Sequence, residues 1–123
     1  MENMSRQIEV RGKILLITLQ GSFGNSAQDF YQEMVAQEAE LSETELPKYE
    51  RIVIDLKKVT AMSSSGGLAI LVGLNTIAKK AGHQKPIALI VNENDHIRQA
   101  LATTKLIQFF ELFAILEKDL ESN

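Results

Sequence analysis

Residues 62–67, Met62-Ser63-Ser64-Ser65-Gly66-Gly67, set three hydroxyls and two glycines between a β-branched run and a long apolar run. A serine hydroxyl can cap a helix, contact an anion or accept a phosphoryl group, and the flanking elements decide among these. Upstream, Arg51-Ile52-Val53-Ile54-Asp55-Leu56 reads as a buried strand. Downstream, Leu68 to Ala81 is long enough for about three to four helical turns. The serines therefore fall where a sheet ends and a helix begins. In open α/β proteins that rim is where ligands and partners are met. A helix start there adds unpaired N–H groups and a partial positive charge.

Nothing in the sequence favours most other chemistry, a triad built on His83 or His96 included. Serine hydrolysis needs a base and an orienting acid, and the Gly-x-Ser-x-Gly elbow is absent around Ser64. No lysine follows Gly66 or Gly67 as a phosphate-binding loop requires, and the dinucleotide fingerprint is missing. His83 follows a helix-stop glycine and His96 lies near a helix start, so both are expected at the surface. Neither has a carboxylate at metal-ligand spacing. With no cysteine, disulfide and thiolate chemistry drop out. No catalytic residue, metal or cofactor is assigned, and the chain reads as a non-enzyme. Asp55 is expected to bond loop amides rather than act as an acid beside the serines. Interior helix glycines cost about 1 kcal/mol each, so Gly66-Gly67 implies a backbone that must stay small, for packing or for a partner's approach. Met62 is expected as a core plug beneath the loop.

Length and composition set the frame. The 123 residues read as a single domain over 1–123, large enough to bury a core unaided. A net charge of −3 argues against nucleic acid as the main partner. The first residues lack the apolar stretch of a signal peptide and no run is long enough to span a bilayer. A cytoplasmic protein without membrane insertion is expected. Nothing demands an oligomer, so a monomer is expected too.

The elements around the serines suggest one α/β unit. Ile8-Glu9-Val10 and Lys13 to Leu19 flank a turn at Arg11-Gly12, and Gly21 to Asn25 should break the second strand. Ser26-Ala27-Gln28-Asp29 resembles a capping box, opening a helix to about Leu41 with Ala27, Phe30, Met34 and Leu41 on its apolar face. Leu71 and Leu74 should turn the next helix toward the sheet, and Ala81-Gly82-His83 should stop it. Pro86 to Val91 reads as a buried strand, Asn94-Asp95 as the cap of a short helix to about Ala102, and Phe109 to Phe113 as an edge strand. Glu117 to Glu121 reads as a final helical turn or two. The expected architecture is a small mixed β-sheet with helices packed mainly on one face.

In this order, these residues resemble the STAS domain family, and within it the bacterial anti-sigma-factor antagonists. That pattern is an apolar strand ending in Asp-Leu, a short apolar step, then Asp-Ser-Ser-Gly or a variant opening a hydrophobic helix. The matching residues are Val53-Ile54-Asp55-Leu56, Val59-Thr60-Ala61-Met62 and Ser63-Ser64-Ser65-Gly66. Thr104 to Phe110 resembles the family's Thr-Gly-Leu segment and its following Phe, with Lys105 at the glycine. Asn25 is the polar residue nearest to the acid the family carries after its second strand. The resemblance implies phosphorylation at Ser64, with Asn25, Ser63, Ser64, Ser65, Gly66 and Gly67 meeting the partner. It further implies a partner switch. The unphosphorylated protein would bind a GHKL-type serine kinase serving as anti-sigma factor, and a phosphoserine phosphatase would reverse the release. Three other readings stand beside it: serines that only cap a helix, an unphosphorylated scaffold or transporter-complex subunit, and a module sensing an anion or nucleotide.

Overall fold

Alternating apolar residues on either side of Gly12-Lys13 pair as a hairpin. The computed structural model describes residues 4–24, 26–63, 67–83, 85–91 and 96–113. In it β1 (Ser5–Arg11) and β2 (Ile14–Phe23) run antiparallel, from Arg11 opposite Ile14 to Ser5 opposite Gln20. β3 (Arg51–Met62), β4 (Ile87–Ile90) and β5 (Phe110–Phe113) then add in parallel, giving a sheet in the order β1-β2-β3-β4-β5. The crossovers are α1 (Ala27–Gln37), α2 (Gly67–Lys80) and α3 (His96–Thr103).

Strands added in sequence order by crossovers of one hand place their helices on one face. The core bears this out. Leu15 and Ile17 of β2, Ile52 and Ile54 of β3 and Leu89 of β4 share one buried cluster with Met34 of α1, Leu71 and Leu74 of α2 and Leu101 of α3. The opposite parity, Ile14, Leu16, Val53, Ala88 and Ile90, forms a smaller cluster to which no described helix contributes. On that face Arg51 reaches past β4 to Glu111 of β5 at 2.8 Å.

Several expectations are corrected. β2 does not break at Gly21 but continues to Phe23, and β3 does not end at Leu56 but runs on to Met62. The pairing shifts twice, between Thr18 and Gln20 and between Gly21 and Ser22, each time with an extra residue on β3. Such bulges change which residues face inward. Leu56, Val59 and Met62 therefore all enter the core at a spacing of three, while Lys57, Lys58 and Thr60 stay exposed. Asp55 is consequently mid-strand, where its Oδ1 accepts the Lys57 N–H at 2.9 Å.

α1 stops at Gln37 because Glu38 turns extended (φ −93°, ψ 108°), and Leu41 reaches the core from a separate 3₁₀ turn. The capping box does not form: Ser26 gives α1 no side-chain cap hydrogen bond. α2 ends as expected. Gly82 takes φ 91°, its N–H bonds Lys79 O at 3.0 Å, and the His83 N–H bonds Ala78 O at 2.9 Å, a Schellman closure. His83 is nevertheless buried, not exposed. Its Nδ1 lies 3.2 Å from Lys85 O and its Nε2 3.0 Å from Tyr49 O, so the ring fills the space between two loops. His96 is exposed as expected. Asn94, Asp95 and Glu117 to Glu121 lie outside the described residues.

Candidate functional site

The C-terminal edge of β2 and β3 brings together the ends of two strands and the starts of two helices. Phe23 closes β2 with its ring fully buried, set edge-on to Phe30 of α1 at 5.4 Å between centroids. Arg6 of β1 lies 5.5 Å from the centre of the Phe30 ring and bonds Glu38 and Gln37 at 3.0 and 2.9 Å, which ties α1 to the sheet.

Ser63 joins β3 to α2 through three contacts. Its N–H donates to Phe23 O at 2.9 Å, extending the β2–β3 pairing beyond the last strand residue. Its carbonyl accepts the Leu68 N–H at 2.9 Å, and its Oγ accepts the Gly67 N–H at 3.1 Å. Two of the unpaired N–H groups at the start of α2 are thereby satisfied by one residue. Gly67 is buried at the same point. A Cβ there would stand 2.5 Å from Phe23 O and 2.4 Å from Met62 Cγ. The small backbone that its sequence implied is thus required for packing against β2. Met62 is the buried plug anticipated beneath the loop.

Ser63 and Gly67 are therefore brought to one helix start. Asn25, Ser64, Ser65 and Gly66 lie outside the described residues. The first turn of α2 carries no acidic residue and its last turn carries Lys79 and Lys80. An anion at its N-terminus would meet the favourable end of the dipole without a carboxylate already in that turn. Among the described residues, no group of three or more metal-ligating side chains comes together.

A feature that the motif did not indicate lies alongside. Gln28 and Tyr31 of α1, Leu68, Ala69, Val72 and Gly73 of α2, and Thr104 and Leu106 after α3 line a mostly apolar groove of about 480 Å³. Val72 is 43 % exposed in it. The Tyr31 ring lies against Gly73, and burial raises its phenol above the usual value. The available signal was the unbroken run Leu68-Ala69-Ile70-Leu71-Val72, which exceeds the stripe a helix needs for one buried face.

The fold and site define a small α/β domain whose parallel strands end at a serine-capped helix. The STAS domain model matches residues 5–118, and the chain belongs to the STAS domain family. No curated protein matches it by sequence. Among solved structures, an anti-sigma factor antagonist from Mycobacterium paratuberculosis matches with a TM-score of 0.69 at 20% identity, over 98% of this chain and 92% of that one. The anti-sigma factor antagonist SpoIIAA in its unphosphorylated form matches with a TM-score of 0.56 at 16% identity, over 95% and 93%. These likenesses support the five-strand mixed sheet with three helices. Among the described residues, no helix is long and apolar enough to cross a membrane.

Proposed function

We propose that the chain is a cytoplasmic anti-sigma-factor antagonist working as a monomeric partner switch. Unphosphorylated, it binds a GHKL-type serine kinase that serves as anti-sigma factor. Phosphorylation of Ser64 releases it, and a phosphoserine phosphatase restores it. The observation that carries this reading is the cap. Ser63 closes the start of α2 with its own hydroxyl and carbonyl, so capping accounts for one of the three serines and gives no reason for Ser64 or Ser65.

The physical logic favours a switch without refolding. A phosphoserine adds about −1.5 to −2 charge, which a helix N-terminus tolerates. Buried in an interface, the same anion is costly unless paired. The names of both solved relatives, anti-sigma factor antagonists, agree with this class of partner. Asn25 and the stretch from Ser63 to Gly67 are assigned to the partner contact.

The decisive experiment is intact-mass and fragment analysis after incubation with the partner kinase and ATP. One phosphate on Ser64 is expected, and none on Ser64→Ala. Phosphate on Ser63 or Ser65 would show that the motif register is wrong, and none at all would favour a scaffold. Ser64→Asp should lose about 2–5 kcal/mol of kinase affinity while the fold keeps its stability.

A further inference from the structure

Charge around the groove is sharply divided. From 26 to 50 the chain carries seven carboxylates against Lys48 alone, whereas from 67 to 109 it carries Lys79, Lys80, Lys85, Arg98 and Lys105 against Glu93 and Asp95. In a chain of net charge −3 this basic side stands out. The groove runs along the boundary. On α2 the exposed positions Val72, Thr76, Lys79 and Lys80 follow at helical spacing, so an apolar start leads to a basic end.

The opposite wall repeats the pattern. Lys105 is exposed between Thr104 and Leu106, both of which line the groove. It is the one residue other than glycine, among those described, with a positive φ (64°). That conformation is unfavourable for a side chain with a Cβ and is usually left to glycine just past a helix end. Strain of this kind is a pointer to function when the side chain is well placed for a task. Leu106 and Phe109 sit three apart on a 3₁₀ turn, where side chains eclipse, and Phe109 is 46 % exposed. Each wall therefore pairs exposed apolar surface with a cation.

We infer that this groove receives an amphipathic helix of the partner, its apolar stripe seated on Val72 and Leu106 and an acidic flank turned toward Lys105 and the basic end of α2. The distance from Ala69 to Lys80 along α2 is about 16 Å, which accommodates about three turns of a partner helix. The inference deepens the partner-switch reading and rests on it for which protein supplies the helix.

The test uses two hydrocarbon-stapled amphipathic peptides with the same apolar stripe, one with glutamates and one with lysines on a single flank. Binding to the full chain is read by fluorescence anisotropy and mapped by amide chemical shifts. The glutamate peptide should bind about tenfold more tightly at low salt, with shifts at Ala69, Val72, Gly73 and Leu106. Lys105→Glu should erase or invert that preference, and Val72→Asp should abolish binding of both peptides, each variant keeping the parent far-UV circular dichroism. Equal binding, a preference for the lysine peptide, shifts elsewhere, or no binding up to about 1 mM would overturn the inference. So would self-association of the chain alone that Lys105→Glu removes, because the occupant would then be the acidic side of a second copy. No kinase enters these measurements. A chain that discriminates the peptides but takes no phosphate defeats the switch alone, and one phosphorylated on Ser64 without discrimination defeats the groove alone.

Discussion

Adding one methyl group at Gly67 tests how tightly the site is built. In Gly67→Ala the new Cβ would lie 2.5 Å from Phe23 O and 2.4 Å from Met62 Cγ. The Met62 side chain can rotate away. The Phe23 carbonyl cannot, because it ends β2 and already accepts the Ser63 N–H at 2.9 Å. Helix and strand must then separate by about 0.9 Å to restore an ordinary contact. Overpacking of this kind costs about 1–3 kcal/mol, and the better helix propensity of alanine returns less than about 1 kcal/mol at a first helical position. A net loss of about 1–2 kcal/mol follows. Gly73→Ala is the control, since there the new Cβ meets only the tip of the Tyr31 ring, at 2.6 Å from Cζ. That ring is partly exposed and can swing outward, so the propensity gain and the contact should cancel to within about 0.5 kcal/mol. Urea unfolding followed by circular dichroism should therefore put the Gly67→Ala midpoint about 0.5–1 M below that of Gly73→Ala, with equal slopes. Equal midpoints, or Gly67→Ala the more stable of the two, would refute the claim that Phe23 O enforces a glycine.

Three other outcomes are expected. Ser63→Ala should lose about 1 kcal/mol in the same unfolding assay while Ser63→Asp keeps most of it, because either oxygen can accept the Gly67 N–H; three equal stabilities would remove the cap. Lys105→Gly should gain about 1 kcal/mol by relieving the left-handed backbone, and a loss would show that the lysine side chain makes a stabilising contact. Both tyrosines hold their protons above the usual phenol value, Tyr31 through burial and Tyr49 through burial and then the charges of Glu40 and Glu45. A raised folded value means stability fully present below the ordinary phenol value of about 10 and lost as pH climbs from there through the raised folded value. Phenolate absorbance of the folded chain should rise at higher pH than that of free tyrosine, and either tyrosine titrating normally would contradict the packing.

What was legible in the sequence was whatever kept a single period. β4 is four consecutive apolar residues and α2 an apolar run closed by Gly82, and both stand where expected. The strand ends were not legible, for a physical reason. Leu56, Val59 and Met62 repeat at three, a spacing that fits neither a flat strand nor a helix face. Only the two bulges against β2 reconcile it with a sheet. His83 was misplaced because one of the two carbonyls its ring meets, Tyr49 O, lies 34 residues away and leaves no local signal. At the site, the serine at the helix start was readable from its place between a β-branched run and a long apolar run. Its division into a capping Ser63 and further serines required the hydrogen bonds. The groove spans three elements far apart in sequence, and only the excess apolar length of α2 hinted at it.

The two proposals bear on each other through charge. α2 presents its N-terminus to the serine loop and its exposed stripe to the groove, so a partner seated on Val72 also lies close to the start of that helix. An acidic flank on the partner is attracted by Lys105 and by the basic last turn while Ser64 carries no phosphate. In the proposed switch, a phosphate on Ser64 would add a second anion opposite an acidic partner, and like charges close together in a partly dry interface disfavour a complex. An anion at the start of α2 would meet no carboxylate in the first turn, so the proposed phosphate would be compatible with the fold of the free domain. The same group is thus acceptable to the fold and unfavourable to the complex. An acidic partner makes that difference larger than bulk alone would, without any rearrangement of the sheet or its helices.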